Sequence, residues 1–401
     1  MAKNDLSAKI DELLERGVNE VIDQKHLKEK LLSGEKLRIK LGIDPTSPNL
    51  HLGRSVPLLK LKDFQELGHQ IVFIIGDFTG VVGDTSDKES ERPMLEETMV
   101  RANMKTYVEQ AGKILDMKKV ELHHNSEWLS KLTFKEIAQQ ANIFSLAEFI
   151  ARENISKRLK AQKRISLREV LYPLMQGYDS VAVKADVELG GTDQRFNLLA
   201  GREIQSHYNQ ESQDIVITNL IEGLDGRKMS SSWGNAVNLT DVPNDMFGKI
   251  MKLDDSLIIK YFVHCTRVPM EKIKEYEKQL EKGANPRDVK MALAHEITLI
   301  YWGSKKALDA EKFFISAFQK REILPEADIE TLAAKEGNTF FEVISSFGII
   351  QSKSELHRLF KDKAVKIISP EQRVLSESDV IENCVVKIGK KKFVKIETFI
   401  K

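Results

Sequence analysis

Leu37-Arg38-Ile39-Lys40-Leu41-Gly42-Ile43-Asp44-Pro45-Thr46-Ser47-Pro48-Asn49-Leu50-His51-Leu52-Gly53-Arg54 reads as three pieces in succession. Residues 37–43 alternate apolar side chains with Arg38, Lys40 and Gly42, as a strand does. Residues 44–49 hold two prolines and form a turn. From His51 the spacing is helical, through Leu58, Leu59, Leu61, Phe64 and Leu67, with a stop at Gly68. Residues 71–75 follow as an unbroken apolar run, the kind buried on both faces of a parallel sheet. Strand, helix, strand is the grammar of a doubly wound α/β (Rossmann-type) sheet. A turn with imidazole and glycine at a helix start also suits phosphate groups, because the first N–H groups of a helix are unpaired and point outward.

The rest of the chain sets bounds on this reading. Its 401 residues exceed one ordinary domain, so two or three are expected. With 41% hydrophobic and 30% charged residues it has the composition of a globular protein. No run approaches the roughly 20 apolar residues that span a bilayer, so no membrane partner is expected. The start, Met1-Ala2-Lys3-Asn4-Asp5, has no apolar signal region. Cys265 and Cys384 have no partners at metal-binding or disulfide spacing, which fits a reducing cytoplasm and predicts no protein-held metal. The net charge of +1 makes no case for nucleic acid, but residues 337–401 carry twelve Lys/Arg against eight Asp/Glu. A local basic excess of that kind can meet a phosphate backbone.

Periodicity predicts a helix over residues 5–35 from Leu6, Ile10, Leu13 and Leu14. Further strands are expected at 120–123, 187–189 and 215–218, with a largely helical insertion over about 95–175. Residues 241–325 read as helical, with a clear start at Asn285-Pro286-Arg287-Asp288. A linker is expected at 324–328. Helices at 340–347 and 352–360 then precede strands at 364–368, 384–388 and 393–396. The expected domains are 1–238 (Rossmann-type), 239–328 (α-helical) and 337–401 (small α+β).

Two motifs carry a family resemblance. Gly42-Ile43-Asp44-Pro45-Thr46 with His51-Leu52-Gly53-Arg54 resembles the "HIGH" element of the class I aminoacyl-tRNA synthetases. Gly226-Arg227-Lys228-Met229-Ser230-Ser231-Ser232 resembles their "KMSKS" loop. The resemblance implies that ATP, with substrate-borne Mg2+, lies against the helix start. Gly53 would allow its close approach, and Thr46 and His51 would donate to phosphate as negative charge builds in the transition state. Lys228 and Met229 would lie on a loop that closes over ATP. Two departures stand out. Arg54 replaces the family's second histidine, keeping a donor with permanent charge. Ser231 replaces the second lysine, so Lys228 with Arg227, or a monovalent cation, is expected to make up the missing charge.

Tyr172-Pro173-Leu174-Met175-Gln176-Gly177-Tyr178-Asp179 narrows the resemblance. Tyr172, Gln176 and Asp179 fall at i, i+4 and i+7 on one helix face. The pattern resembles the amino-acid-binding helix of the tyrosyl-tRNA synthetases, which implies contacts from Tyr172 and Gln176 to the substrate ammonium and from Asp179 to its phenol. A buried acceptor left unpaired rejects phenylalanine; the tyrosyl-tRNA synthetases are themselves the worked case, so the size of that effect is theirs and not inferred from this chain. Gly190-Gly191-Thr192-Asp193-Gln194 resembles the family turn in which Asp193 would bind ribose and Gln194 would face the amino acid's carboxylate. Asp84 would take the ammonium, and Lys88 and Arg92 would meet pyrophosphate or the tRNA end. Gly42 and Asp44 would line the tyrosine site. Lys40 stands where many relatives carry a tyrosine, and sequence alone does not give its direction.

The last 60 residues resemble an S4-type RNA-binding fold, with Lys353 and Arg358 implied on one side of a helix. The whole resemblance implies a cytoplasmic tyrosine–tRNA ligase that binds ATP, L-tyrosine and tRNA and works as a homodimer. The alternatives are a tryptophan-specific synthetase and a non-catalytic RNA-binding paralogue.

Overall fold

A computed structural model describes residues 3–84, 94–229, 233–319, 330–350, 352–369, 373–389 and 392–399. The chain divides into two compact units, Met1–Leu308 and Asp309–Lys401.

The first unit is built on six strands: β1 (Val18–Ile22), β2 (Arg38–Ile43), β3 (Gln70–Ile75), β4 (Val120–His124), β5 (Val187–Gly191) and β6 (Asp214–Thr218). They lie in the order β1-β6-β5-β2-β3-β4. All neighbours pair in parallel except β1, which runs antiparallel to β6. From β2 the chain steps outward to β3 and β4, then returns to the other side of β2 for β5 and β6. The strand order therefore reverses between β2 and β5, and a doubly wound sheet opens its crevice at the carboxyl ends of such a pair. All five residues of β6, and all of β3 except Gln70, are buried. That burial explains their unbroken apolar sequences.

The single long helix expected over residues 5–35 does not form. The chain forms a helix over Lys3–Glu15, the edge strand β1, and a second helix over Gln24–Ser33. Gly17 has φ 68° and ends the first helix. Asp23 accepts from the His26 N–H and starts the next. Val18, Val21 and Ile22 between them suit a strand.

The insertion over 95–175 is a series of short helices around β4. It leads to the Leu167–Val183 helix, which a Ser166/Glu169 capping box opens. Glu169 is also paired with Arg158 at 2.5 and 3.1 Å, and both side chains are buried. Beyond the sheet, helices run over Pro243–Ile250, Ile258–Cys265, Met270–Glu281 and Pro286–Trp302. Asn285 caps the last of these, as its sequence suggests. Cations close two helix C-termini: Arg16 donates to the carbonyls of Phe262, Val263 and Thr266, and Lys60 to those of Leu13 and Arg16.

The second unit has its own sheet, β7 (Glu330–Lys335), β8 (Val365–Ser369), β9 (Arg373–Val374), β10 (Cys384–Ile388) and β11 (Lys392–Phe399), in the order β7-β11-β10-β8-β9. Helices Phe340–Ser346 and Lys353–Lys361 bury Phe340, Val343, Ile344, Leu356 and Phe360 against it. The two helices and three of the strands match the sequence reading; β7 and β9 were not expected. Lys353 and Arg358 are both exposed. Five helical residues turn them about 140° apart, so they flank the helix surface instead of sharing one side. The linker expected at 324–328 lies outside the described residues. Among the described residues, no helix is long and apolar enough to cross a membrane.

Candidate active site

A cleft of about 220 Å³ opens where the strand order reverses. Gly42, Asp44, Thr46, Gly53, Arg54, Asp84, Tyr172, Gln176, Asp179, Asp193 and Gln194, all expected site residues, line it together. They come from separate elements: the end of β2, the turn after it, the Leu52–Glu66 and Leu167–Val183 helices, the segment after the Asp77–Val82 helix, and the turn after β5. Sequence-distant groups converge because each strand ends at the same edge of the sheet.

One wall is the turn 44–50 and the helix start behind it. Arg54 ties this turn down: it donates to the Asp44 carbonyl (3.2 Å), Tyr107 Oη (3.0 Å) and Thr46 Oγ1 (2.8 Å). Tyr107 donates in turn to the Ser47 carbonyl, and Gln110 holds Pro48 and Leu50. A methyl group at Gly53 would meet the His51 ring at 3.1 Å and Met229 Sδ at 3.4 Å, so any larger residue makes one of these side chains shift. The Gly53 N–H points at Met229 Sδ, 3.2 Å away. This contact brings the two signature motifs together. The segment after the second motif also pairs with the first, through Leu52 N to the Val237 carbonyl and Leu239 N to the Leu50 carbonyl. Burial, with Arg54 and Lys228 adding positive charge nearby, pushes His51 down to about 4, so its imidazole is neutral near pH 7. Its Nδ1 is buried and meets no hydrogen-bond partner among the described residues.

The floor is a hydrogen-bonded chain. Tyr172 donates to Asp44 Oδ2 (2.8 Å), and Thr79 donates to Asp44 Oδ1 (2.7 Å). Asn125 Nδ2 donates to Thr79 Oγ1 (2.8 Å) and to Asp179 Oδ2 (3.2 Å), and Trp128 Nε1 donates to Asp179 Oδ1 (2.7 Å). A side chain at Gly76 would strike Asp44 at 2.0 Å and Thr79 at 2.4 Å. Burial pushes Asp44 up to about 6 against the pull of its donors, with Asp84 adding to the rise. Burial likewise pushes Asp179 up to about 7, opposed by Lys40, Trp128 and Asn125 and assisted by Glu188. Tyr172 is thus engaged with Asp44, and Gln176 Nε2 donates to Glu188 (3.1 Å). Gln194 Nε2 donates to Asp84 Oδ2 at 2.7 Å.

Lys40 points into the protein behind the floor. It is fully buried, and its Nζ meets Glu188 Oε1 (2.9 Å), the Gln176 carbonyl (2.9 Å) and Ser180 Oγ (2.8 Å). Thr79, Asn125, Trp128 and Glu188 escaped the sequence reading. No motif surrounds them; only a polar residue inside an apolar strand, Glu188, gave a signal. Lys88, Arg92 and Ser231 lie outside the described residues. Asp23, His26 and Asp214 have metal-ligand spacing, but they sit at the opposite edge of the sheet from the cleft, and His26 is hydrogen-bonded to Asp214.

Residues 32–319 match the family model described as tRNA synthetases class I (W and Y). A protein of Clostridium acetobutylicum named tyrosine–tRNA ligase 2 is 46% identical over 392 residues, covering 96% of this chain and 97% of its own. A tyrosine–tRNA ligase of Thermotoga maritima is 44% identical over 389 residues, covering 96% of each. Among solved structures, a C-terminally truncated mitochondrial tyrosyl-tRNA synthetase of Aspergillus nidulans superposes with a TM-score of 0.65 at 20% identity. It covers 79% of this chain and 99% of its own, and at that identity it speaks for the fold alone.

Proposed function

The chain belongs to the class I tRNA synthetases of the tryptophan and tyrosine group, and we propose that it activates L-tyrosine with ATP and transfers it to tRNA. In the first step the tyrosine carboxylate attacks the α-phosphorus of ATP, forming tyrosyl-adenylate and releasing pyrophosphate. In the second, the terminal ribose hydroxyl of tRNA attacks the adenylate carbonyl and AMP leaves. No protein nucleophile enters either step, so catalysis rests on positioning and charge stabilisation. The observation that carries this reading is Asp179: a buried carboxylate at the floor of the same cleft that Thr46, Gly53 and Asp193 line.

We assign the roles from the family resemblance and the lining of the cleft. Thr46 and His51 serve the triphosphate, with neutral His51 donating one hydrogen bond, and Gly53 allows its close approach. Arg54 stiffens the turn and presents charge to the same phosphates. Lys228 closes over the leaving pyrophosphate, which Mg2+ accompanies as part of the ATP, and Ser231 stands in the same motif where the family has a second lysine. Asp193 takes the ribose hydroxyls and Gln194 the amino acid's carboxylate. Asp84 and Asp44, the latter bonded to Tyr172, take the ammonium, and Gln176 borders it. Gly42 leaves room for the ring, since a side chain there would meet nothing within 4 Å. Lys88 and Arg92 serve pyrophosphate or the tRNA end.

We assign 1–238 to activation, 239–328 to the anticodon side of tRNA, and 337–401 to an S4-like RNA contact in which Lys353 and Arg358 meet phosphate. Leu146, Ile150, Leu159 and Leu167 are exposed around one apolar hollow, which supports a homodimer through that face. A cytoplasmic location fits the substrates. ATP–pyrophosphate exchange with tyrosine, tryptophan and phenylalanine tests the reading. Tyrosine-dependent exchange followed by charging of tRNA supports it; exchange with tryptophan alone, or none, overturns it.

A further inference from the structure

We propose that Lys40 determines tyrosine specificity without touching the substrate: its buried ammonium positions Glu188 and Gln176 behind the cleft floor and supplies the counter-charge that lets Asp179 act as a carboxylate acceptor. This rests on the tyrosine reading above.

An ammonium has three N–H donors. Lys40 meets three acceptors, Glu188 Oε1, the Gln176 carbonyl and Ser180 Oγ, all within 2.9 Å. None is left for a ligand, so Lys40 is a positioning residue. Each partner bears on the floor. Glu188 accepts from the Gln176 side chain, and its other oxygen accepts from Ser180 Oγ (3.2 Å) and from Gln213 Nε2. Gln176 and Ser180 bracket Asp179 on one helix. Removing Lys40 therefore frees the Gln176 carbonyl and leaves Glu188, which holds the Gln176 and Ser180 side chains on either side of Asp179, without its counter-charge.

The charge balance points the same way. Asp179 and Glu188 both line the cleft and are both almost fully buried. Two neighbouring carboxylates in a dry site oppose each other's ionisation, and an adjacent cation offsets this. Lys40 on β2 favours the charged form of Asp179, and Glu188 on β5 opposes it. The other groups facing Asp179 are Tyr172 on its own helix and the neutral donors Asn125 and Trp128. Beyond them lie Asp44, reached through Thr79, and His123, packed edge-on against Trp128. Lys40 is the cation bonded inside this set.

The test is the pH profile of tyrosine-dependent ATP–pyrophosphate exchange for the full chain, Lys40→Met, Glu188→Gln and the double variant, with phenylalanine as competitor. The unmodified chain checks the tyrosine reading on its own, so its failure is distinguishable. Lys40→Met is expected to raise the KM for tyrosine about tenfold or more, shift the rising limb of kcat/KM to higher pH and narrow the tyrosine/phenylalanine ratio, leaving the KM for ATP within about twofold. Glu188→Gln is expected to shift the limb to lower pH. The double variant, which removes both the cation and the carboxylate that oppose each other at Asp179, is expected to return it part of the way toward the original position. Losses that scale all parameters equally, or a double variant no closer to the parent than Lys40→Met, would overturn the proposal. Should Lys40→Met fail to fold, an unmoved limb in Glu188→Gln would overturn it equally.

Discussion

Trp128 Nε1 donates to Asp179 Oδ1 at 2.7 Å, while Asn125 holds the other oxygen at 3.2 Å. The carboxylate is therefore oriented by two fixed donors, leaving its remaining lone pairs for a substrate hydroxyl. Trp128→Phe removes one of them and little volume. A hydrogen bond to a charged group contributes about 1.5–3 kcal/mol, so the KM for tyrosine is expected to rise by about ten- to a hundredfold. The KM for ATP is expected to stay near its original value. Steady-state exchange kinetics at varied tyrosine and ATP separate the two.

The buried carboxyl of Asp179 gives a pH signature of definite sign. Its pKa rises from 3.8 to about 7 on folding. A carboxyl raised in this way binds more protons folded than unfolded, so the stability it lends is full below about pH 4 and is lost as the pH climbs through about 7. Asp179→Asn carries no such proton. Its melting temperature relative to the unmodified chain is expected to improve steadily between about pH 5 and pH 8. Thermal unfolding across that range checks the trend. Tyrosine binding moves oppositely, strengthening through about pH 7 as the carboxylate forms.

Gly53→Ala places a methyl group against the His51 ring and Met229 Sδ, at 3.1 and 3.4 Å. The ring or the second-motif loop must give way. A fall in kcat for adenylate formation of about tenfold or more is expected, with the global stability little changed. Single-turnover kinetics together with urea unfolding distinguish this from misfolding.

The Arg158–Glu169 pair is buried on both sides and anchors the helix that carries Tyr172, Gln176 and Asp179. Arg158→Met leaves Glu169 charged and buried, at a cost of about 3–5 kcal/mol. Arg158→Met/Glu169→Gln is expected to recover part of that loss. Urea unfolding of the two variants measures the difference.

How much of this was legible in the sequence depended on the range of the forces involved. β2, β3 and the Leu52–Glu66 helix follow from local periodicity and two prolines, and they were read nearly to the residue. Tyr172, Gln176 and Asp179 share a face because the helix repeat requires it. β1 was hidden because a five-residue edge strand between two helices carries almost no periodic signal, and only Gly17 marked the break. The direction of Lys40 is not given by its alternating strand; its burial depends on Glu188, 148 positions later, which no local pattern links to it. Trp128, Asn125 and Thr79 belong to the site only because β3 and β4 end beside each other.

The preference of the Asp179→Ala variant for tyrosine over phenylalanine, measured by ATP–pyrophosphate exchange beside the unmodified chain, is the most direct trial of the pocket. With Asp179 as the phenol's acceptor, the unmodified chain strongly prefers tyrosine and the variant loses most of that preference while still exchanging pyrophosphate. An unchanged ratio in the variant would mean that the phenol is recognised elsewhere.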